Sequence, residues 1–356
     1  MRAALPSEDL DLALSLTAPF WSQFGGSRIL ITGGTGFIGA WLLQVLQRAN
    51  DQLRSKLELV VLTRDADRAR QQSPQTFARA DTQLASGDVR HFATPLGPLD
   101  LCIHAAAEVG DTNRPDQPLQ VFDGIVQGTR RMLDLAQTAG VRRFLLTSSG
   151  AVYGPQPADL ERMPESFSGA PDPLSAAHAY GNGKRAAEWL ACAYAAQAAQ
   201  AAGTGFTPTI ARIFAVIGPG LPLDGPFAAG NFIRDALAGR AIQVNGDGTP
   251  VRSFLYSADV CVWLFRILGS GVAGQAYNVG SEQALSIAEL AQRVAASVGQ
   301  PQLAVPLQTA NAASGPPARY VPDTSKARQE LGLSEYTTLD AALQKTMAWT
   351  RQAAFV

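Results

Sequence analysis

Histidine, cysteine and methionine are scarce in this 356-residue chain, at three, three and four copies. Cys102, Cys192 and Cys261 lie in apolar runs and are spaced neither as metal ligands nor as a disulfide framework. They read as buried small hydrophobes in a reducing compartment, and no metal site is expected. Net charge is nearly absent as well. The 29 basic residues set against 30 acidic ones leave −1, which gives no electrostatic pull toward nucleic acid or an anionic membrane surface. An anionic ligand must then be met by local arginines. No apolar run approaches the ~20 residues that cross a bilayer. The opening Met1-Arg2-Ala3-Ala4-Leu5-Pro6, followed by Glu8, Asp9 and Asp11, lacks the pattern of a secretory leader, so a cytoplasmic protein is expected.

What the chain does have is an ordinary globular balance, 46% hydrophobic and 17% charged, long enough for one elaborated α/β unit or two closely joined domains. Its most informative stretch runs from Ile29 to Gly39. A β-branched apolar run enters, spaced glycines turn the chain, and the apolar helix pattern Trp41 to Leu46 leaves. Gly34-x-Gly36-x-x-Gly39 and Gly33-x-x-Gly36-x-x-Gly39 both fit forms of the dinucleotide fingerprint. Glycine suits this place because the backbone must turn tightly and approach a pyrophosphate, whose charge the free N–H groups of the next helix then hold. The expected cofactor contacts are Gly33, Thr35, Gly36, Phe37, Ile38 and Gly39.

Around this loop the pattern alternates. A short helix over Glu8 to Leu16, capped by Ser7, forms an N-terminal extension (1–24) read as a docking or oligomer-contact appendage. Strands at Arg28–Thr32, Leu57–Leu62, just before Gly87, at Leu99–His104 and at Arg143–Thr147 alternate with helices. They predict a doubly wound parallel Rossmann sheet over 25–205. Over 206–356 the texture is that of a smaller mixed α/β substrate lobe, with some segments returning to the sheet. Within it a strand is expected at Thr209–Val216. A hairpin is expected where Ala241–Val244 and Arg252–Tyr256 flank the turn signal Asn245-Gly246-Asp247-Gly248.

The second strand ends Thr63-Arg64-Asp65. An acid at that place accepts from the NAD ribose, whereas an arginine accommodates a 2′-phosphate, so Arg64 leans the cofactor toward NADP while Asp65 leaves NAD open. Asp88, with Val89 beside it, suits an adenine contact, and the small Ala105, Ala106 and Ala107 let a dinucleotide lie across the strand ends. His104 has no partner at ligand spacing and reads as structural. Tyr180 and Lys184 lie one helical turn apart and share a face. An ammonium beside a phenol lowers its pKa and makes Tyr180 a candidate acid/base. Ser149, at the end of the fifth strand, is placed to hydrogen-bond the same substrate oxygen.

With these motifs the chain resembles the extended short-chain dehydrogenases/reductases of the sugar-nucleotide epimerase/dehydratase family, over about residues 27 to 345. The resemblance rests on Thr32 to Gly39, His104 to Ala107, Ser149 to Gly154, Tyr180 with Lys184, Arg212-Ile213-Phe214, Asn231-Phe232-Ile233 and Arg252-Ser253-Phe254. It implies an NAD(P)-dependent enzyme in which the Ser/Tyr/Lys set oxidises or reduces a sugar carbon, and Lys184 also holds the nicotinamide ribose. It further implies that Phe214 lies on the cofactor side, that Asn231 and Arg252 face the diphosphate of a nucleotide sugar, and that the alanine-rich helix after Tyr180 helps form a homodimer.

Departures narrow the expectation. Dehydratases and uronate decarboxylases of this family carry an acid one or two residues after the serine, where this chain has Gly150 and Ala151. Ile125 and Ala215 stand where the family often has asparagine, and Gly183 where it often has Ser or Thr. The expected activity is therefore C4 epimerisation of a nucleotide sugar through a 4-keto intermediate. An NADPH-dependent ketone reductase is the main alternative, and a dehydratase/decarboxylase or a non-catalytic dinucleotide-binding regulator stands further back.

Overall fold

In β1 (Arg28–Thr32) successive side chains leave the strand on opposite sides: Ile29 and Ile31 enter one apolar cluster and Leu30 another. β2 (Glu58–Thr63) repeats the division with Leu59 and Val61 against Val60 and Leu62, and β4 (Leu101–His104) with Leu101 and Ile103 against Cys102. A strand buried on both faces reads as an unbroken apolar run, which is why these strands were legible from sequence. With β3 (Thr82–Ser86), β5 (Arg143–Ser149) and β6 (Thr207–Ile213) they build the sheet of this computed structural model, which describes residues 3–92, 96–106, 117–201, 205–304 and 317–353.

The small strands β7 (Val216–Ile217), β8 (Val251–Arg252) and β9 (Leu255–Tyr256) precede β10 (Ala276–Val279), and β11 (Leu285–Ser286) and β12 (Arg319–Tyr320) follow it. The main sheet is seven-stranded and parallel in the order β3-β2-β1-β4-β5-β6-β10. The order reverses between β1 and β4, the switch point where such sheets open a ligand crevice. One face is covered by the helices Phe37–Leu53 and Ser257–Ser270, the other by Pro118–Thr138 and Ala179–Gln200. A segment of the C-terminal half thus returns to the sheet, as β10.

Several local expectations are corrected. The hairpin about Asn245–Gly248 does not form. Ile242 instead bridges Ala304, β8 pairs with β11 and β12, and β9 pairs with β7, so each flank of the turn finds a partner elsewhere. The sixth strand stops at Ile213, and Val216–Ile217 leaves the sheet to meet Leu255–Tyr256. Ser7 is the first residue of its helix (Ser7–Leu16) and makes no capping bond.

The N-terminal segment packs inward instead of standing off as an appendage. A second helix, Ala18–Phe24, lays Phe20 and Trp21 against Phe265, with ring centroids 5.2 and 5.3 Å away. The buried Asp9 carboxylate accepts from Tyr256 Oη at 2.7 Å and pairs with Lys345 Nζ at 2.6 Å. Of the cysteines, Cys102 and Cys261 are buried, but Cys192 is exposed, its thiol donating to Gly274 O at 3.3 Å.

Candidate active site

The glycine loop meets the carboxyl end of β4. Gly33 adopts φ +72°, and a Cβ there would stand 2.5 Å from the carbonyl oxygen of Ala105. A Cβ on Gly39, inside the helix Phe37–Leu53, would overlap the Gly33 carbonyl oxygen. Only glycine meets both demands. The turn is closed by Gly36 N–H donating to Gly33 O at 2.9 Å, and Gly36 stands as the N-cap of the helix. Thr32 Oγ1 accepts from Ala106 N–H at 3.0 Å and bonds His104 Nδ1 at 2.8 Å. His104 Nε2 lies 3.1 Å from Thr129 Oγ1; burial and then Lys184 push its pKa down to about 3. It is a neutral structural histidine that ties loop, strand and helix together. A cradle with no room for a Cβ, at a helix N-terminus, fits the pyrophosphate of a dinucleotide.

Ser149 ends β5, and Tyr180 and Lys184 project from the first turns of the helix Ala179–Gln200 that packs beside it. Lys184 is buried and donates to Thr147 O at 2.7 Å, with its Nζ 5.8 Å from the Tyr180 ring centroid. Burial lowers its pKa to about 8, and Glu188 opposes the fall. The expected depression of the tyrosine is absent: burial raises the Tyr180 phenol, and the group that opposes the rise is Ser149, as hydrogen-bond partner. The lysine is turned to the Thr147 carbonyl instead.

A buried polar network fixes this strand end. Arg212 grips Glu188 with Nη2 2.7 Å from Oε2, and donates to Tyr153 Oη at 2.8 Å. Glu188 also accepts from Ser148 Oγ, and Tyr153 Oη donates to Asn278 Oδ1 at 2.8 Å. With every partner satisfied, such a network locks the backbone that presents Ser149. Gly183 faces Ile125, whose Cδ1 would be 3.3 Å from an added Cβ. Two departures from the family pattern are thus one packing solution, in which the larger Ile125 is matched by the missing side chain at 183.

Other expected residues fall elsewhere. Asp88 is bound by the Arg90 guanidinium, at 2.8 Å from Nε to Oδ1, and that hydrogen bond holds its pKa down at about 2. Asp65 caps the helix Ala66–Gln72, accepting from Arg68 N–H at 2.9 Å, beside an exposed Arg64. Asn231 donates to Gly225 O and accepts from Arg234; it lines a cavity of about 430 Å³ with Arg234, Asp235, Arg240, Gln243 and Asn245. Arg252 lies apart from that group, its guanidinium carbon 5.9 Å from the Tyr320 ring centroid. Phe214 is buried against the same ring, 4.5 Å between centroids. Val89 packs against Gly128, and Ala107 lies outside the described residues.

Sequence reasoning missed Tyr320. Its phenol enters the site because β12 pairs with β8, which sets Tyr320 opposite Arg252. The Oη stands 2.6 Å from the point that a Cβ at Gly150 would occupy, too close for both. Burial raises its pKa; Ser149, as hydrogen-bond partner, opposes that rise, Tyr180 adds to it, and Arg252 favours the ionised form.

The profile of the NAD dependent epimerase/dehydratase family matches residues 29–280. The chain belongs to that family. It is accordingly an NAD-dependent enzyme, and its sheet is the family's Rossmann-like sheet. UDP-glucuronic acid decarboxylase 3 of Arabidopsis thaliana is 32% identical over 307 residues, 86% of this chain and 83% of the relative. UDP-glucuronic acid decarboxylase 1 of Xenopus tropicalis is 29% identical over 94% of this chain and 74% of its own. Among solved structures, the dTDP-glucose 4,6-dehydratase DesIV of Streptomyces venezuelae, with NAD bound, superposes at TM-score 0.76. It is 27% identical and covers 91% of this chain and 97% of its own. A UDP-glucose 4-epimerase from Thermotoga maritima, with UDP-glucose, gives TM-score 0.74 at 20% identity over 92% and 99%, a likeness of fold.

Proposed function

We propose that the protein is an NAD-dependent decarboxylase of a nucleotide-linked uronic acid, with UDP-glucuronate as the first substrate to try. The observation that carries this reading is the Ser149, Tyr180 and Lys184 set at the end of β5, in a chain whose curated relatives bear the name of that activity. The finer expectation thereby moves from epimerisation to decarboxylation. Tyr180 takes the proton of the C4 hydroxyl while Ser149 hydrogen-bonds the same oxygen, and Lys184 holds the ribose side. The glycine cradle at Gly33, Gly36 and Gly39 would hold NAD, which would supply reversible hydride chemistry at C4. A ketone at C4 makes the C6 carboxylate a β-keto acid, which loses CO2 without a general base because its electron pair spreads onto the carbonyl oxygen. Ser149 stabilises the charge that develops there.

Loss of CO2 from the β-keto acid does not itself require the acid that the family's decarboxylases carry at these positions, whereas expulsion of a hydroxyl does. Gly150 and Ala151 therefore tell against dehydration and leave decarboxylation open. They also support the second reading, C4 epimerisation, which needs no further acid. Tyr180→Phe tests the shared chemistry. Turnover is expected to drop about 10²–10⁴-fold with NAD affinity kept, and unimpaired turnover would overturn the role.

At the end of β2, Arg64 supports acceptance of NADP beside NAD, since Asp65 is committed to its helix cap. Arg64→Ala is then expected to weaken NADP binding alone in a titration of both. Exposed Leu119 and Trp189, on neighbouring helices, support a homodimer, and the free cysteines support a reducing, cytoplasmic setting.

A further inference from the structure

We propose that the Tyr320 hydroxyl is the second acid of the active site, protonating the sugar carbon from which CO2 has left. This inference rests on the decarboxylase reading. After loss of CO2 the electron pair lies over C5, C4 and the C4 oxygen, and reduction at C4 requires C5 to be protonated first. The positions where the family carries an acid hold Gly150 and Ala151, and neither side chain can supply that proton. The space is nonetheless filled by one. A Cβ at 150 would lie 2.6 Å from Tyr320 Oη, so the glycine is what lets the phenol reach the strand end.

Three further observations place this hydroxyl at the chemistry. Ser149 is the side chain that opposes the burial-driven rise in both the Tyr180 and the Tyr320 phenol, so the two phenols lie about one serine. Neighbouring phenols around a shared serine suit neighbouring reacting atoms, the C4 oxygen for Tyr180 and C5 for Tyr320. Phe214 packs against the Tyr320 ring, with centroids 4.5 Å apart and planes tilted by 36°, and so supports its position. The Arg252 guanidinium, 5.9 Å from the ring centroid, stabilises the phenolate left behind. An ordinary phenol is already protonated at neutral pH, as a donor must be, and burial moves this one further in the same direction.

The step balances. The C5–C6 bond breaks and its electron pair becomes the enolate. The Tyr320 O–H bond breaks, and its proton forms C5–H with that pair. Solvent reprotonates the phenolate, which accounts for the one proton that decarboxylation of a carboxylate consumes. Tyr180 returns its own proton to the C4 oxygen during reduction.

The test is Tyr320→Phe, assayed on UDP-glucuronate with NAD, following CO2, UDP-pentose and reduced cofactor separately. CO2 release is expected to persist in the first turnover, which also reports a folded site. UDP-pentose should fall about 100-fold, the decarboxylated ketone should escape into solution, and reduced cofactor should build up in proportion. A Tyr320→Phe enzyme that makes UDP-pentose at the wild-type rate with no ketone overturns the proposal, as does a uniform loss of CO2 and pentose together. A wild-type enzyme that releases no CO2 from UDP-glucuronate sinks the decarboxylase reading itself, and the proposal with it.

Discussion

Lys184 carries a cost that is readable in stability. Its folded pKa of about 8 lies below the ordinary lysine value of 10.5, with burial as the leading cause. Between those limits the unfolded chain holds the proton and the folded chain does not, so this group makes stability rise with pH from 8 to 10.5 and weakens the fold below 8. Replacing it by methionine removes that dependence. Chemical denaturation should show Lys184→Met losing ground to the wild-type chain as pH rises across that window, and parallel curves would contradict the burial argument. Ser149, Tyr180 and Lys184 were legible in the sequence because a one-turn spacing and a strand-end position are local patterns. Tyr320 was not, because its place depends on a two-residue strand pairing with Val251–Arg252. The direction of the Tyr180 shift was likewise illegible, since it turns on where the lysine points.

The elements show the same division. Strands buried on both faces announce themselves as apolar runs, and the glycine loop as a turn between a strand and a helix. The expected hairpin failed because Asn245–Gly248 is a local turn signal, whereas the strands beside it are claimed by distant partners. Ile125 and Gly183 looked like unrelated departures and prove to be one contact between two helices. Gly183→Ser is expected to destabilise the chain by about 1–3 kcal/mol through overpacking, and Ile125→Asn should restore part of the loss. A double-mutant cycle checks this, with a coupling of at least ~0.5 kcal/mol expected for side chains in contact. Strict additivity would show that the two positions do not meet.

At the scale of the whole molecule, the N-terminal segment and the C-terminal helix Leu339–Ala353 close over the same core. Phe20, Trp21 and Phe24 share one apolar cluster with Phe265, Trp263 and Met347. Asp9 joins the ends, accepting from Tyr256 and pairing with Lys345. Asp9→Ala leaves the buried Tyr256 hydroxyl without that acceptor and should lower stability by about 1–3 kcal/mol, seen as an earlier thermal midpoint. An unchanged midpoint would return the segment to the status of an appendage.

The product of the reaction decides between decarboxylase and epimerase. UDP-glucuronate labelled at its carboxyl carbon, incubated with the purified protein and a catalytic amount of NAD, measures it directly. Labelled CO2 is expected in equal amount to UDP-pentose over many turnovers, with no net consumption of cofactor. A C4-epimerised uronate that keeps its label, or reduction of the cofactor in step with turnover, would contradict the decarboxylase reading.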